Sequence, residues 1–139
     1  MKIIGRKERA AFPEFNLRDV LVKIDSGAYT SSIHCDQIIR ENNNTVSCVF
    51  LDPEMKGYTG EVLTFDVVKE VIVRSSNGSG EKRCMIRSSI ELGGEMYPIY
   101  LTLTNRNDMR YPVLLGRRFL SKRFLIDVSK SGSGKRKEV

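Results

Sequence analysis

The sequence is short of long hydrophobic runs, aromatic residues, histidine and cysteine, and each shortage removes a class of protein. No apolar run approaches the roughly 18 residues needed to cross a bilayer, so no membrane span is expected. Residues Met1 to Glu8 carry charges where an export signal needs its apolar centre, so no signal peptide is expected either. The three cysteines, Cys35, Cys48 and Cys84, are odd in number and lack paired spacing. That fits a reducing cytoplasm better than a disulfide scaffold. Structural zinc takes four ligands, typically in spaced pairs, whereas the single histidine, His34, simply precedes Cys35. Neighbours on a strand point to opposite faces, so no metal site is expected. Aromatic residues make up 8% of the chain, with no clear stacking platform and no helix-turn-helix, zinc-finger or RNP-type pattern, which argues against a nucleic-acid module. No phosphate-binding loop is present, so neither ATP nor any other cofactor is expected.

What remains is an ordinary globular composition: 139 residues, 40% hydrophobic and 29% charged. The length suits one domain able to bury roughly two thirds of its unfolded surface. We expect that domain over residues 1–129, with 130–139 a disordered basic tail rich in Ser, Gly, Lys and Arg. The formal charge is +6, and Arg106, Arg110, Arg117, Arg118, Lys122 and Arg123 stand against one acid, Asp108, in that span. Such a cluster is either a surface that draws acidic peptides or nucleic acid or a solvated face with local ion pairs.

Short β-branched runs separated by turn signals dominate the chain. Strands are expected over Lys2 to Ala11, Arg18 to Ile24, Tyr29 to Ile33, Thr45 to Leu51, Leu63 to Arg74, Lys82 to Leu92 and Met96 to Thr104. Phe12-Pro13 breaks the first, Asp36 to Arg40 reads as a helical turn, and Asn77-Gly78-Ser79-Gly80 is a hairpin signal. With almost no helical periodicity, the pattern predicts a closed or sandwiched all-β domain.

The chemistry-bearing stretch is Lys23-Ile24-Asp25-Ser26-Gly27-Ala28. The alternating run Val20 to Ile24 delivers one carboxylate to a sharp turn, where Ser26 offers a hydroxyl and Gly27 permits close approach. Alone, that is a turn closing a strand. The second half lies at Pro112 to Leu120: an apolar strand, Val113-Leu114-Leu115, stops at Gly116-Arg117 and looks like a short helix beyond it. Phe124 to Asp127 forms a last strand.

An Asp-Ser-Gly-Ala segment followed by a hydrophobic-hydrophobic-Gly-Arg segment resembles the paired signature of retropepsin-type aspartic proteases. The strings Gly5-Arg6-Lys7-Glu8, Lys23 to His34, Leu101 to Arg110 and Leu114-Leu115-Gly116-Arg117 are similar to a bacterial family of small retropepsin-like proteins. These are often labelled putative ATP-dependent zinc proteases and are frequently encoded beside ATP-grasp ligases that add glutamate tails to proteins. The resemblance implies a closed six- to eight-stranded acid-protease barrel with one short C-terminal helix. It implies a cytoplasmic peptidase in which Asp25, Ser26 and Gly27 form the catalytic loop. Because the chain holds one such motif, two copies must pair so that two Asp25 carboxylates meet on a two-fold axis.

Ala28, Tyr29, His34, Arg106 and Arg110 are the expected substrate-binding residues, for a peptide or protein substrate that is acidic. Leu114, Leu115 and Gly116 should support the loop, and Arg117 should make a structural ion pair. Two residues depart from the family pattern: Ser26 replaces the usual Thr and keeps the hydroxyl, whereas Tyr29 replaces an Arg and removes a charge beside the loop. Either Asp52 to Gly60 or Ser75 to Glu81 could be the hairpin that closes over substrate. The competing reading is a domain that keeps the fold and grips acidic tails for a ligase without cleaving them.

Overall fold

The computed structural model describes residues 1–74, 78–106 and 110–132. Strands β1 (Lys2–Ile4) and β2 (Lys7–Phe12) replace the single strand expected over Lys2 to Ala11. The division falls at Gly5, where a Cβ would stand 2.6 Å from the Gly132 nitrogen and 2.7 Å from the Lys130 carbonyl oxygen. Only a residue without a side chain admits that crossing. Lys130 to Gly132, the start of the stretch read as a free tail, therefore lie against the first strands, and the Arg6 N–H donates to Lys130 O at 2.8 Å. Residues 133–139 lie outside the described residues.

A 3-10 turn at Pro13–Phe15 leads into β3 (Leu17–Ile24), whose Val20, Val22 and Ile24 are buried. Then follow β4 (Ser31–Arg40), β5 (Thr45–Phe50), β6 (Leu63–Asp66), β7 (Lys69–Arg74), β8 (Gly80–Leu92), β9 (Glu95–Thr104), β10 (Val113–Leu115), the helix α1 (Arg117–Leu120) and β11 (Phe124–Ile126). The helical turn expected at Asp36 to Arg40 is instead the second half of β4. Gln37 to Arg40 pair with Val49 to Val46 of β5 after a bulge at Cys35, and a ladder of that length outweighs local preference. The long strand expected over Leu63 to Arg74 is interrupted at Val67-Val68, because β6 pairs with β5 while β7 pairs with β8.

Six strands close on themselves in the order β10-β3-β2-β8-β9-β4 and back to β10. The closing piece is the three-residue strand β10, parallel to β3 (Val113↔Val22, Leu115↔Ile24) and antiparallel to β4 (Val113↔Ile33). Its alternation sends Val113 and Leu115 into the barrel, where they meet Val22, Ile33, Ile86, Leu101 and Leu103, and leaves Leu114 facing out. Each such side chain, fully buried, stabilises by about 1.5–3 kcal/mol. The end of the barrel at the start of β3 is packed with aromatics: Phe15 stacks on Phe50 at 4.0 Å and on Phe12 at 5.6 Å between ring centroids. Outside the barrel, β1 and β11 form a separate parallel pair.

Candidate active site

Asp25 is the first residue past β3, at the end opposite the aromatic cluster. The backbone fixes its position. Its N–H donates to Leu115 O at 2.9 Å, and the preceding Ile24 N–H donates to Arg6 O at 2.9 Å. The turn then tightens through Ala28 N–H to Asp25 O at 3.2 Å and Gly27 N–H to Asp25 Oδ1 at 3.1 Å. The carboxylate is half-buried, makes no ion pair among the described residues, and stands beside the exposed Ser26 and Gly27.

Gly116 is held where nothing larger fits. A Cβ there would lie 2.6 Å from Thr30 O and 2.7 Å from Tyr29 O. Its N–H donates to Ser31 Oγ at 3.0 Å, while Arg117 N–H and Arg118 N–H donate to Ala28 O at 2.7 Å and Tyr29 O at 3.0 Å. The strand with Leu115 and Gly116 therefore props the Asp25 loop from behind, as the two motifs imply. The expectation of an ion pair for Arg117 is corrected: its Nη1 donates to Ser26 O at 3.0 Å, and its guanidinium sits 5.9 Å from the Tyr29 ring centroid. Tyr29, 58% exposed, thus gives Arg117 an aromatic neighbour where the family's usual Arg would repel it.

His34 does not reach the surface. Its ring is fully buried, Nε2–H donates to Asp52 Oδ1 at 2.7 Å, and Nδ1 accepts from Arg106 N–H at 3.3 Å. It ties β4 to the Asp52 turn and to the end of β9, which corrects its expected substrate contact. A zinc ion does not fit these residues: both His34 nitrogens are engaged, Cys35 is buried in the core, and no cluster of metal-ligating side chains occurs among the described residues. Of the two candidate covers, Asp52 to Gly60 is excluded. Lys56 is bonded to Asp19 at 2.8 Å, and Gly57 lies against Arg18, both at the start of β3. Six residue steps along the strand separate Asp19 from Asp25, roughly 20 Å. The other stretch turns the β7–β8 hairpin, and its residues 75–77 lie outside the described residues.

Arg106 and Arg110 come together in one groove of about 500 Å³. The groove also holds Arg6, Lys7, Lys23, Tyr111 and the outward Leu114. Lys7 and Lys23 are direct cross-strand partners, an arrangement of like charges that costs stability. Their ammonium groups lie 5.5 and 6.0 Å from the Tyr111 ring centroid, with the Arg110 guanidinium at 6.0 Å. A hydrogen bond from Lys7 holds the Tyr111 phenol below the ordinary tyrosine pKa, and the charges of Lys7, Arg110 and Lys23 add to the effect. Lys23 precedes Asp25 by two positions, so their Cα atoms lie about 7 Å apart, and the groove, which Asp25 itself does not line, begins next to the loop. Lys7, Lys23 and Tyr111 were not among the sequence candidates. Only the β2–β3 register brings the two lysines together.

A six-strand barrel whose Asp-Ser-Gly loop is braced by an apolar strand ending in Gly-Arg has the retropepsin-like architecture. The chain belongs to the RimB-like family, described as retropepsin-like aspartic endopeptidase RimB, whose model matches residues 3–137. Among curated proteins, it is 41% identical over 134 residues to a Shewanella pealeana protein named "Probable alpha-L-glutamate ligase". It is 35% identical over 129 residues to a protein of the same name from Desulfotalea psychrophila. These alignments take in 93% and 91% of this chain but only 29% and 28% of the relatives, so the chain spans less than a third of their length. A solved Legionella pneumophila structure, of a protein of unknown function, superposes with a TM-score of 0.75 at 26% identity, covering 96% of this chain and 98% of that one. No helix among the described residues is long and apolar enough to cross a membrane.

Proposed function

We propose that this chain is a cytoplasmic aspartic-type peptidase that acts as a homodimer on acidic, glutamate-rich peptide segments. The observation that carries the reading is Asp25: its main-chain N–H donates to Leu115 O behind it, its carboxylate accepts from Gly27 N–H, and the residue is half-exposed, without an ion-pair partner among the described residues, and two positions from Lys23 of the cationic groove. Two such carboxyl groups about 3 Å apart cannot both ionise easily, so the pair shares one proton. The ionised member takes a proton from water as the water oxygen attacks the scissile carbonyl carbon. The protonated member gives its proton to the carbonyl oxygen. Collapse of the tetrahedral intermediate breaks the C–N bond, with a proton passing to the leaving nitrogen.

The dimer has a candidate surface in β1 and β11, where Ile3 and Leu125 are register partners and each is 52% exposed. In that dimer the β7–β8 hairpin is the cover. Its Glu81 lies 3.5 Å from Thr104, close to where Arg106 enters the groove. The groove's lysines and arginines suit carboxylate side chains, and Arg106 and Arg110 supply forked donors for them.

A second reading has one specific support: the curated relatives that contain this domain are named ligases. On that reading, the domain grips an acidic tail for a ligase and cleaves nothing. One experiment separates the two. A poly-glutamyl peptide is incubated with wild type and Asp25→Asn between about pH 4 and 8 and read by mass spectrometry, with native mass measured in parallel. Cleavage by wild type alone, from a dimer, is the expected result. Binding without cleavage by a strict monomer would favour the gripping module.

A further inference from the structure

A second recess of about 180 Å³ opens between α1 and the outer face of β8 and β9. It is separate from the groove described above and shares none of its lining residues. Three guanidinium groups reach it from three places: Arg87 on β8, Arg118 on α1, and Arg123 just before β11. None of the three has a carboxylate partner among the described residues.

Two of these arginines are already held in place. Arg118 stacks on Tyr100, its guanidinium carbon 4.4 Å from the ring centroid, with Nη1 4.0 Å from Met85 Sδ. Arg123 lies 5.1 Å from the Phe119 centroid and donates from Nη1 to Phe119 O at 2.8 Å. A stacked guanidinium loses little further freedom on meeting a ligand and keeps its unstacked edge free to donate. Met85, Pro98 and Phe119 supply apolar wall, and Thr30 brings a hydroxyl to the rim. Mutual repulsion of three cations around one small space is unfavourable unless an anion relieves it. The recess, far smaller than the groove, suits a compact anion.

We infer that this recess is a binding site for a compact oxyanion of two or more negative charges, carrying carboxylate or phosphate oxygens, held by the forked donors of Arg87, Arg118 and Arg123. An occupant here lies against Thr30 and Ser31, which follow the Asp25 loop, and the same segment is held by Arg118 N–H to Tyr29 O and Gly116 N–H to Ser31 Oγ. The inference does not depend on peptide hydrolysis and stands or falls separately from it.

The test is an NMR titration of the full chain with inorganic phosphate in one arm and glutarate in another, against sodium chloride at matched ionic strength. In at least one arm, the Arg87, Arg118 and Arg123 side-chain N–H signals should shift and saturate. Arg118→Gln should weaken that binding about tenfold or more, the usual cost of losing a charge-assisted pair. Arg87→Gln, at an exposed strand position that tolerates substitution, should weaken it severalfold, whereas Lys23→Gln in the other groove should leave it within about twofold. The arm that saturates at lower concentration identifies the oxygen source. The inference is overturned if neither anion exceeds chloride, if Arg87→Gln and Arg118→Gln bind as wild type does, or if the shifts centre on Tyr111.

Discussion

The two ends of the barrel are built on opposite principles. At the start of β3, Phe12, Phe15, Phe50 and Phe65 stack and abut with centroids 4.0–5.8 Å apart, and Phe12, Phe15 and Phe50 are almost wholly buried. At the other end, Asp25 is held by main-chain hydrogen bonds and a glycine contact, and its neighbours are cations. Stability is concentrated at the end away from Asp25. The Asp25 end instead tolerates an open carboxylate and two opposed lysines, whose cost the aromatic end offsets. Truncating an aromatic should therefore change stability and little else, while small polar changes at the loop should change function with little effect on stability.

The largest effect is expected from Phe15→Ala. Removing a ring buried among three others costs about 3–5 kcal/mol and lowers Tm by roughly 10 °C, with acidic-peptide binding unchanged in the fraction that stays folded. A loss below about 1 kcal/mol, measured by urea denaturation, would break the contrast. Asp25→Asn is the converse. Hydrolysis should fall by at least about a hundredfold while stability stays within about 0.5 kcal/mol, since the side chain is half-exposed and makes no ion pair among the described residues. Gly116→Ala should affect both properties: a methyl group 2.6 Å from Thr30 O must push the loop aside, costing about 1–3 kcal/mol and displacing Asp25. If Gly116→Ala cleaves peptide as wild type does, the strand does not position the carboxylate.

Much of the geometry at the Asp25 end was legible because its logic is local. Asp25-Ser26-Gly27 and Leu114-Leu115-Gly116 each carry their geometry in a few consecutive residues, and Gly116 is required for a reason that a motif can encode. What escaped depended on register. Nothing around residue 7 or residue 23 says that two lysines will face each other across β2 and β3. The polar stretch Asp36 to Arg40 reads as a turn until β5 is there to pair with it. His34 reads as a substrate contact in the sequence because burial is a property of the closed barrel, not of the strand. The ion pair expected for Arg117 gives way to a bond to a main-chain oxygen, which carries no sequence signal.

A smaller effect sharpens the comparison from the groove side. The Tyr111 phenol is held below the ordinary tyrosine pKa, first by the Lys7 hydrogen bond, so it ionises earlier as pH rises. Ionisation puts a negative charge among the cations and opposes an acidic ligand. Affinity for a glutamate-rich peptide should therefore fall on the alkaline side before pH 10, and Tyr111→Phe should keep its affinity further up that limb. Superimposable binding profiles for wild type and Tyr111→Phe would place the phenol outside the recognition surface.

The smallest expected change is the most informative about why the two ends differ. Lys7 and Lys23 face each other directly, and relieving such a pair is worth about 0.2–1 kcal/mol. Lys23→Gln should therefore make the protein slightly more stable, by a few tenths of a kcal/mol in urea denaturation. The same change should weaken acidic-peptide binding severalfold and flatten its salt dependence. A gain in stability coupled to a loss in binding is what distinguishes charges kept for recognition from charges that merely cover a surface. Were Lys23→Gln to lose both, the lysine would be packing its stem against Leu114 and Tyr111, and the cationic end would be held together much as the aromatic end is.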